Sequence, residues 1–211
     1  MPLSERDHLS TISAMHNLEA QLTFIRELDK LKGIYRLARV KTDNNRRENS
    51  AEHSWHLCLI AHVFLDYVDE PIDINKVTRL LLVNDIVEID AGDTYAFGPQ
   101  SLLDEQPEKE HRAAKRLFGL LPNHQGEELL NLWLEFEQRE TPEARYAVAI
   151  DRVAPLIMNV ANDGGSWRHH SPTRTQALKR NEYIQIAVPR LWDYVVSQID
   201  FAVSQGWMRE G

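Results

Sequence analysis

The sequence predicts an all-α fold, a single bundle of about six to eight helices, on three observations. Apolar residues recur through most of the chain at the three-and-four spacing of a helix face. No alternating stretch is long enough for a half-buried strand. Pro71, Gly92, Pro99, Pro122 and the pair Gly164-Gly165 fall between the periodic segments, where they punctuate the chain.

The first helix is expected over 15–35 and the second over 51–69. The second contains the apolar run Trp55 to Phe64 and the single cysteine, Cys58, which reads as a core thiol rather than a nucleophile. A third helix over 73–90 starts from Asp73 as N-cap. Two more are expected over 107–120 and 125–139, and the stretch from Gly98-Pro99 to Glu105 reads as a long loop of the kind that often carries function. Thr141 caps the helix over 142–162, with Pro142 at its first position and Glu143 in its first turn. The last helix, 175–205, is expected to kink or break at Pro189. The segment 162–170, mixing glycines with Trp167, Arg168, His169 and His170, reads equally as a lid or a surface connection.

A chain of 211 residues, 43% hydrophobic, can bury one core, so residues 1–211 are expected to form one domain with its core over about 20–205. No stretch approaches the roughly 20 apolar residues that would cross a bilayer, and the N-terminus lacks a basic-then-apolar leader, so a cytoplasmic protein with no membrane partner is expected. The formal charge of −8 argues against a nucleic acid duplex as partner, because duplex binding is driven by Lys and Arg displacing counterions. A small anion remains open to local capture. Arg36, Arg39, Lys41, Arg46 and Arg47 form the basic concentration of the N-terminal half.

Chemistry enters through acids in apolar company. In Leu80-Leu81-Leu82-Val83-Asn84-Asp85-Ile86-Val87-Glu88-Ile89 the two carboxylates interrupt an otherwise buried helix, and ionised carboxylates are not left in apolar surroundings without a partner. A spacing of three places Asp85 and Glu88 on one helix face, with Asn84 four before Glu88 on the same side. His53 opens another apolar helix, and Asp151 is the lone acid of Tyr146 to Ile157; the adjacent Arg152 does not explain it away, because neighbouring helical residues do not face each other. An imidazole, a carboxylate pair and a distant carboxylate on different helices make an N/O ligand set for a divalent metal. Taken singly, His53 reads as a helix-start histidine bonded to backbone and Asp93 as a turn residue; the constellation carries the inference.

These residues resemble a known family. Arg-x-Glu-Asn-x-x-Glu-His, ending at His53, followed by Asn84-Asp85-x-x-Glu88-x-x-x-Gly92-Asp93 and a later lone Asp151, is similar to the HD-domain phosphohydrolases. The likeness is to the small all-helical branch that includes the 5′-deoxyribonucleotidases, and within it to bacterial predicted HD-superfamily hydrolases. The resemblance implies a single HD domain, a homodimer, and a divalent metal (Mn, Co, Mg or Zn) held by His53, Asn84, Asp85 and Asp151. It also implies Glu88 as general acid or base, Asp93 as a group that positions water or substrate, and a phosphate held by Arg46 first, then Arg47 or Arg36. One departure is plain: the histidine of the family's His-Asp doublet is Asn84 here, a harder, weaker oxygen donor suited to Mg²⁺, Ca²⁺ or Mn²⁺. The expected function is metal-dependent hydrolysis of a small phosphorylated metabolite such as a nucleoside 5′-monophosphate. A weakened relative that binds a nucleotide or other anion without efficient turnover, and a helical interaction protein whose polar cluster only fixes packing, stand as rivals.

Overall fold

The computed structural model describes residues 5–211; the first four residues of the expected 1–211 domain lie outside the described residues. Helix α1 spans Glu5–Leu28 and gives way to a 3₁₀ turn over Asp29–Gly33. The expected helix over 15–35 therefore stops early, and the chain enters an antiparallel hairpin of β1, Tyr35–Val40, and β2, Arg46–Asn49. Tyr35 pairs with Asn49, Arg39 with Arg47 and Val40 with Arg46, with an irregularity between Tyr35 and Arg39. The turn is made by Asn44 and Asn45, both at positive φ, a conformation that asparagine tolerates better than most residues.

Asn49 then caps α2, Ser50–Val63, in a reciprocal box with Glu52: each side chain bonds the other's backbone N–H. Cys58 lies buried in α2, where desolvation pushes its thiol up to about 11, as befits a core group. Asp73 caps α3, Ile74–Val83, accepting from the backbone N–H groups of Asn75 and Lys76. The continuous helix expected over 73–90 is overturned at its end. Residues Asn84–Val87 tighten into a 3₁₀ turn, and α4 is the single turn Glu88–Ala91.

Helix α5 runs from Gln100 to Phe118, so the loop expected to reach Glu105 ends at Pro99. Pro107 lies in the second turn of α5, where its missing N–H removes one backbone bond while the helix continues on both sides. Helices α6, Asn123–Gln138, and α7, Pro142–Ala161, follow, with Thr141 capping α7 and Pro142 at its first position. A short α8, Trp167–His170, leads to α9, Arg174–Ala187, and α10, Trp192–Ser204, separated by the expected break at Pro189.

The helices share one core centred on α7, which packs against α2, α3, α6, α9 and α10. Tyr146, Ile150 and Val153 of α7 meet Leu57, Leu80, Leu81 and Ile199, all fully buried. Burial of each such aliphatic side chain contributes roughly 1.5–3 kcal/mol. The buried Tyr146 hydroxyl donates to the Ala61 carbonyl at 2.7 Å, tying α7 to α2. Among the described residues no helix is long and apolar enough to cross a membrane.

The segment after α7 is a turn pinned to the helix before it. Asn159 Oδ1 accepts from both the backbone N–H and the hydroxyl of Ser166, at 2.8 and 3.0 Å. Gly164 has φ of +92°, and a Cβ there would fall 2.5 Å from the Trp207 ring, which is itself buried. Gly164→Ala is therefore expected to destabilise the fold by about 2–4 kcal/mol, combining backbone strain with displacement of an indole. A urea melt that matches the natural protein would refute the turn's rigidity.

Candidate active site

The 3₁₀ turn at the end of α3 shapes the site. Residues three apart nearly eclipse in a 3₁₀ helix, so Asp85 and Glu88 are stacked more directly than an α-helix would set them. Both are buried, as are Asn84, His53 and Glu48. His53 comes from the first turn of α2, Asp151 from the middle of α7, and Asp93 from the segment after α4. The side chains that the sequence singled out thus come from α2, the 3₁₀ turn, α4, the segment after it and α7.

At the centre lies Arg36, carried in by β1. Its Nη1 is 3.4 Å from Asp85 Oδ2 and 3.5 Å from both Glu88 Oε1 and Asp93 Oδ1, while its Nε is 3.9 Å from Glu48 Oε2. Beside it, His53 bridges two acids: Nδ1 is 3.1 Å from Glu48 Oε2 and Nε2 is 3.3 Å from Asp151 Oδ1. Ser50, at the first position of α2, donates its hydroxyl to Glu88 Oε2. Asn84 Nδ2 donates to Asp85 Oδ1 at 2.8 Å. With the amide nitrogen committed there, Asn84 Oδ1 is buried and has no hydrogen-bond partner. The opposite amide orientation would set an oxygen against the carboxylate, so the bond to Asp85 fixes which atom is left free.

The electrostatics follow from this packing. Burial raises both Asp85 and Glu88, and the proximity of Asp85 helps carry Glu88 up to about 9 against the pull of Arg36. Glu88 is thus a protonated carboxyl at neutral pH. Burial and Arg36 pull His53 down, but its hydrogen bonds to Asp151 and Glu48, with Asp85 nearby, outweigh them and set it at about 9. Burial opposes ionisation of Asp151 too, yet its contact with His53 takes it down to about 2. His53 and Asp151 form an ion pair.

His53, Asp85 and Asp151 are brought to one buried region, but among the described residues no three His, Cys, Asp or Glu side chains converge on a point suited to a metal. Their charges are matched instead by Arg36 and by each other. The donor chemistry nonetheless fits a divalent cation: one imidazole, two carboxylates and the orphaned Asn84 Oδ1, which is buried without a proton donor to satisfy it. Glu48 on His53 Nδ1 is the outer partner that fixes the ring with Nε2 turned inward, the arrangement usual for ligating histidines.

A cavity of about 380 Å³ opens on Arg36, Asn84, Asp85, Glu88, Asp93 and Asp151. A smaller one of about 130 Å³ shares Arg36, Asp93 and Asp151 and is lined further by Tyr95, Phe97 and Trp167. Of the arginines expected to hold phosphate, Arg36 alone lines either of these cavities. Arg46 is held bidentately by Glu52, at 2.6 and 2.9 Å, and also by Asp43. Its guanidinium is occupied by the acid that caps α2, which reverses the expected ranking of Arg46 ahead of Arg36. Arg47 is exposed in β2 and lines neither cavity. Two contributors lacked an assigned role in the sequence. Glu48 stands inside the spaced motif, so its position was visible and its purpose was not; Ser50 carried no signal beyond its place at a helix start.

Comparison with known proteins places these residues in a wider setting. The sequence model of the family described as HD domain matches residues 28–192. The chain is 28% identical to the human 5′-deoxynucleotidase HDDC2 over 142 residues, 67% of this chain and 68% of that protein. Its structure is similar to the crystal structure of a predicted metal-dependent phosphohydrolase from Magnetospirillum magnetotacticum, with TM-score 0.84 and 45% identity, covering 91% of this chain and 95% of the other. A conserved hypothetical protein from Pyrococcus furiosus shares the fold at TM-score 0.60 and 19% identity, covering 84% of this chain and 98% of its own.

Proposed function

The chain belongs to the HD domain family, and on that premise we propose that it is a metal-dependent phosphohydrolase of small phosphomonoesters, with nucleoside 5′-monophosphates as the leading substrate class. The observation that carries the reading is the buried cluster of His53, Asp85, Glu88 and Asp151 around a cavity that Asn84 also lines, its buried Oδ1 without a hydrogen-bond partner. The names of two relatives, the human 5′-deoxynucleotidase and the predicted metal-dependent phosphohydrolase, support the same chemistry.

A divalent cation held by His53, Asp85, Asp151 and Asn84 Oδ1 would supply Lewis-acid polarisation of the phosphate and lower the pKa of water. The remaining work falls to the chain itself. Glu88, protonated in its buried setting, hands its proton to the leaving oxygen as the P–O bond breaks, and regains one from the water that adds to phosphorus. Ser50, bonded to Glu88 Oε2, holds that carboxyl in one orientation. Glu48 keeps the His53 ring turned with Nε2 toward the cluster. Arg36 screens the carboxylates from one another and meets a phosphate oxygen entering the cavity. Asp93, 3.5 Å from Arg36 at the cavity wall, orients water or substrate. Tyr95, Phe97 and Trp167 offer an aromatic surface for the organic part of the ester.

The reading is tested by measuring phosphate release from p-nitrophenyl phosphate and a set of nucleoside 5′-monophosphates with Mn²⁺, Co²⁺, Mg²⁺ or Zn²⁺ added. Metal-stimulated turnover that a chelator abolishes is expected. Nucleotide binding without turnover under every metal would overturn the hydrolase reading and favour the binding protein.

A further inference from the structure

The cavity has a second charged wall that the expected site does not include. Arg139, Arg152 and Arg180 line it along with the acid cluster. Unlike Arg36, none of the three has a carboxylate within 4 Å among the described residues. Two of them are held without being neutralised. The guanidinium carbons of Arg139 and Arg152 lie 5.9 and 5.6 Å from the centre of the Tyr183 ring, cation–π distances. Arg152 also donates to the backbone carbonyl of Arg180.

Two further features show that this wall lacks a partner. Arg139 adopts a left-handed φ of 58° at the end of α6, and its Nε is buried with no hydrogen bond. Arg139, Arg152 and Arg180 share one cavity wall, so the three cations crowd one another. The acids nearby do not relieve them. Asp151 is engaged by His53, and neither Glu110 nor Glu137, which share the cavity, comes within 4.0 Å of the three guanidinium groups. Guanidinium groups in a partly desolvated wall, oriented and without counter-charge, suit a planar or tetrahedral oxyanion. Arg36 cannot fill that role alone, because its charge is already divided among four carboxylates.

We propose that Arg139, Arg152 and Arg180 form the phosphate-holding wall of the cleft, taking the non-bridging oxygens of the substrate's phosphate and of the inorganic phosphate released from it. The inference rests on the phosphohydrolase reading and deepens it: the phosphate lies between the acid cluster and the arginine wall. Arg152 and Arg180 line both cavities while Arg139 lines only the larger, so the ester's organic part runs the other way, toward Tyr95, Phe97 and Trp167.

The test is calorimetric titration of the Mn²⁺-loaded protein with inorganic phosphate, comparing the natural chain with Arg152→Gln, Arg180→Gln and Arg139→Gln. Loss of a charged hydrogen bond should raise the phosphate Kd about tenfold or more in the Arg152 and Arg180 variants. For p-nitrophenyl phosphate, KM should rise more than kcat falls, and Mn²⁺ affinity should stay within about twofold. Arg180 is exposed, so its variant keeps the test valid if Arg152→Gln fails to fold. Phosphate binding lost in these variants of a protein that hydrolyses no phosphomonoester would uphold the wall and overturn the hydrolase reading. Turnover with phosphate affinity untouched in a well-folded Arg180→Gln, or a natural chain that binds no phosphate, would overturn the wall.

Discussion

Glu88→Gln is expected to lose turnover by about 10²–10⁴-fold, the usual contribution of a positioned proton donor, while making the metal-free protein more stable at neutral pH. The two effects have one cause. Glu88 titrates at about 9 in the fold against an ordinary 4.5, because burial and Asp85 oppose its charge. A raised folded-state pKa means that the unfolded chain releases this proton first, so its contribution to stability is full below pH 4.5 and is lost progressively as pH rises toward 9. At pH 7 the cost is of order 3 kcal/mol. Glutamine does not ionise, and its amide can present oxygen to Arg36 and N–H to Ser50, whose hydroxyl then accepts. Thermal melts of the chelated protein from pH 5 to 9 should show a falling curve for the natural chain and a flatter, higher one for the variant. Full activity in Glu88→Gln, or identical pH dependence in the two melts, would remove Glu88 from the proton-transfer role.

Asn84→His is the second large effect, and it acts on metal choice. In the natural chain Asn84 Nδ2 is spent on Asp85, leaving a buried carbonyl oxygen for the cation. Such a donor favours hard ions, Mg²⁺ or Mn²⁺, over Co²⁺ and Zn²⁺, which prefer imidazole. Histidine at this position should tighten Co²⁺ and Zn²⁺ by at least tenfold, the low end of what even an outer-sphere loss costs, with little gain for Mg²⁺. The residue is only 8% exposed, so the ring must fit beside Asp85, and the adjoining cavity provides the room. Calorimetric titration with Co²⁺ and Mg²⁺, supported by the visible absorption of bound Co²⁺, decides it. Equal affinities in the two proteins would mean that position 84 lies outside the coordination sphere.

Much of this architecture was legible because helices announce themselves locally. The caps at Asp73 and Thr141, the break at Pro189 and the buried faces of α2, α3 and α7 all follow from short-range pattern and cap chemistry. The hairpin was missed because β1 is partly buried along its length without alternation, and its one overt mark is the Asn44-Asn45 turn. That omission bears on the order in which the arginines are ranked. The position of Arg36 depends on strand pairing and on helices far along the chain, whereas Arg46 stands beside His53 in the sequence and was judged by nearness. The 3₁₀ turn at Asn84–Val87 escaped for a related reason: a one-residue tightening leaves the apolar periodicity almost unchanged. The acid cluster was readable from Asp85 and Glu88 in apolar surroundings. The arginine wall was not, since Arg139, Arg152 and Arg180 look in the sequence like ordinary surface cations, and only the stacking of Arg139 and Arg152 on Tyr183 and the lack of acids beside all three set them apart.

The way His53 is bracketed ties the site to the order of folding. Glu48 is supplied five residues before it, by the adjoining hairpin, whereas Asp151 lies 98 residues further on. Closing so long a segment costs chain entropy before any contact rewards it. During synthesis, the N-terminal half emerges with Asp85 and Glu88 still lacking the wall that α7 provides, and those carboxylates remain hydrated and ionised. Docking of α7 then strips their water and gives His53 its second acid. Capture of a proton by Glu88 thus belongs with the docking of α7, so a chain cut short before α7 lacks the proton its chemistry requires.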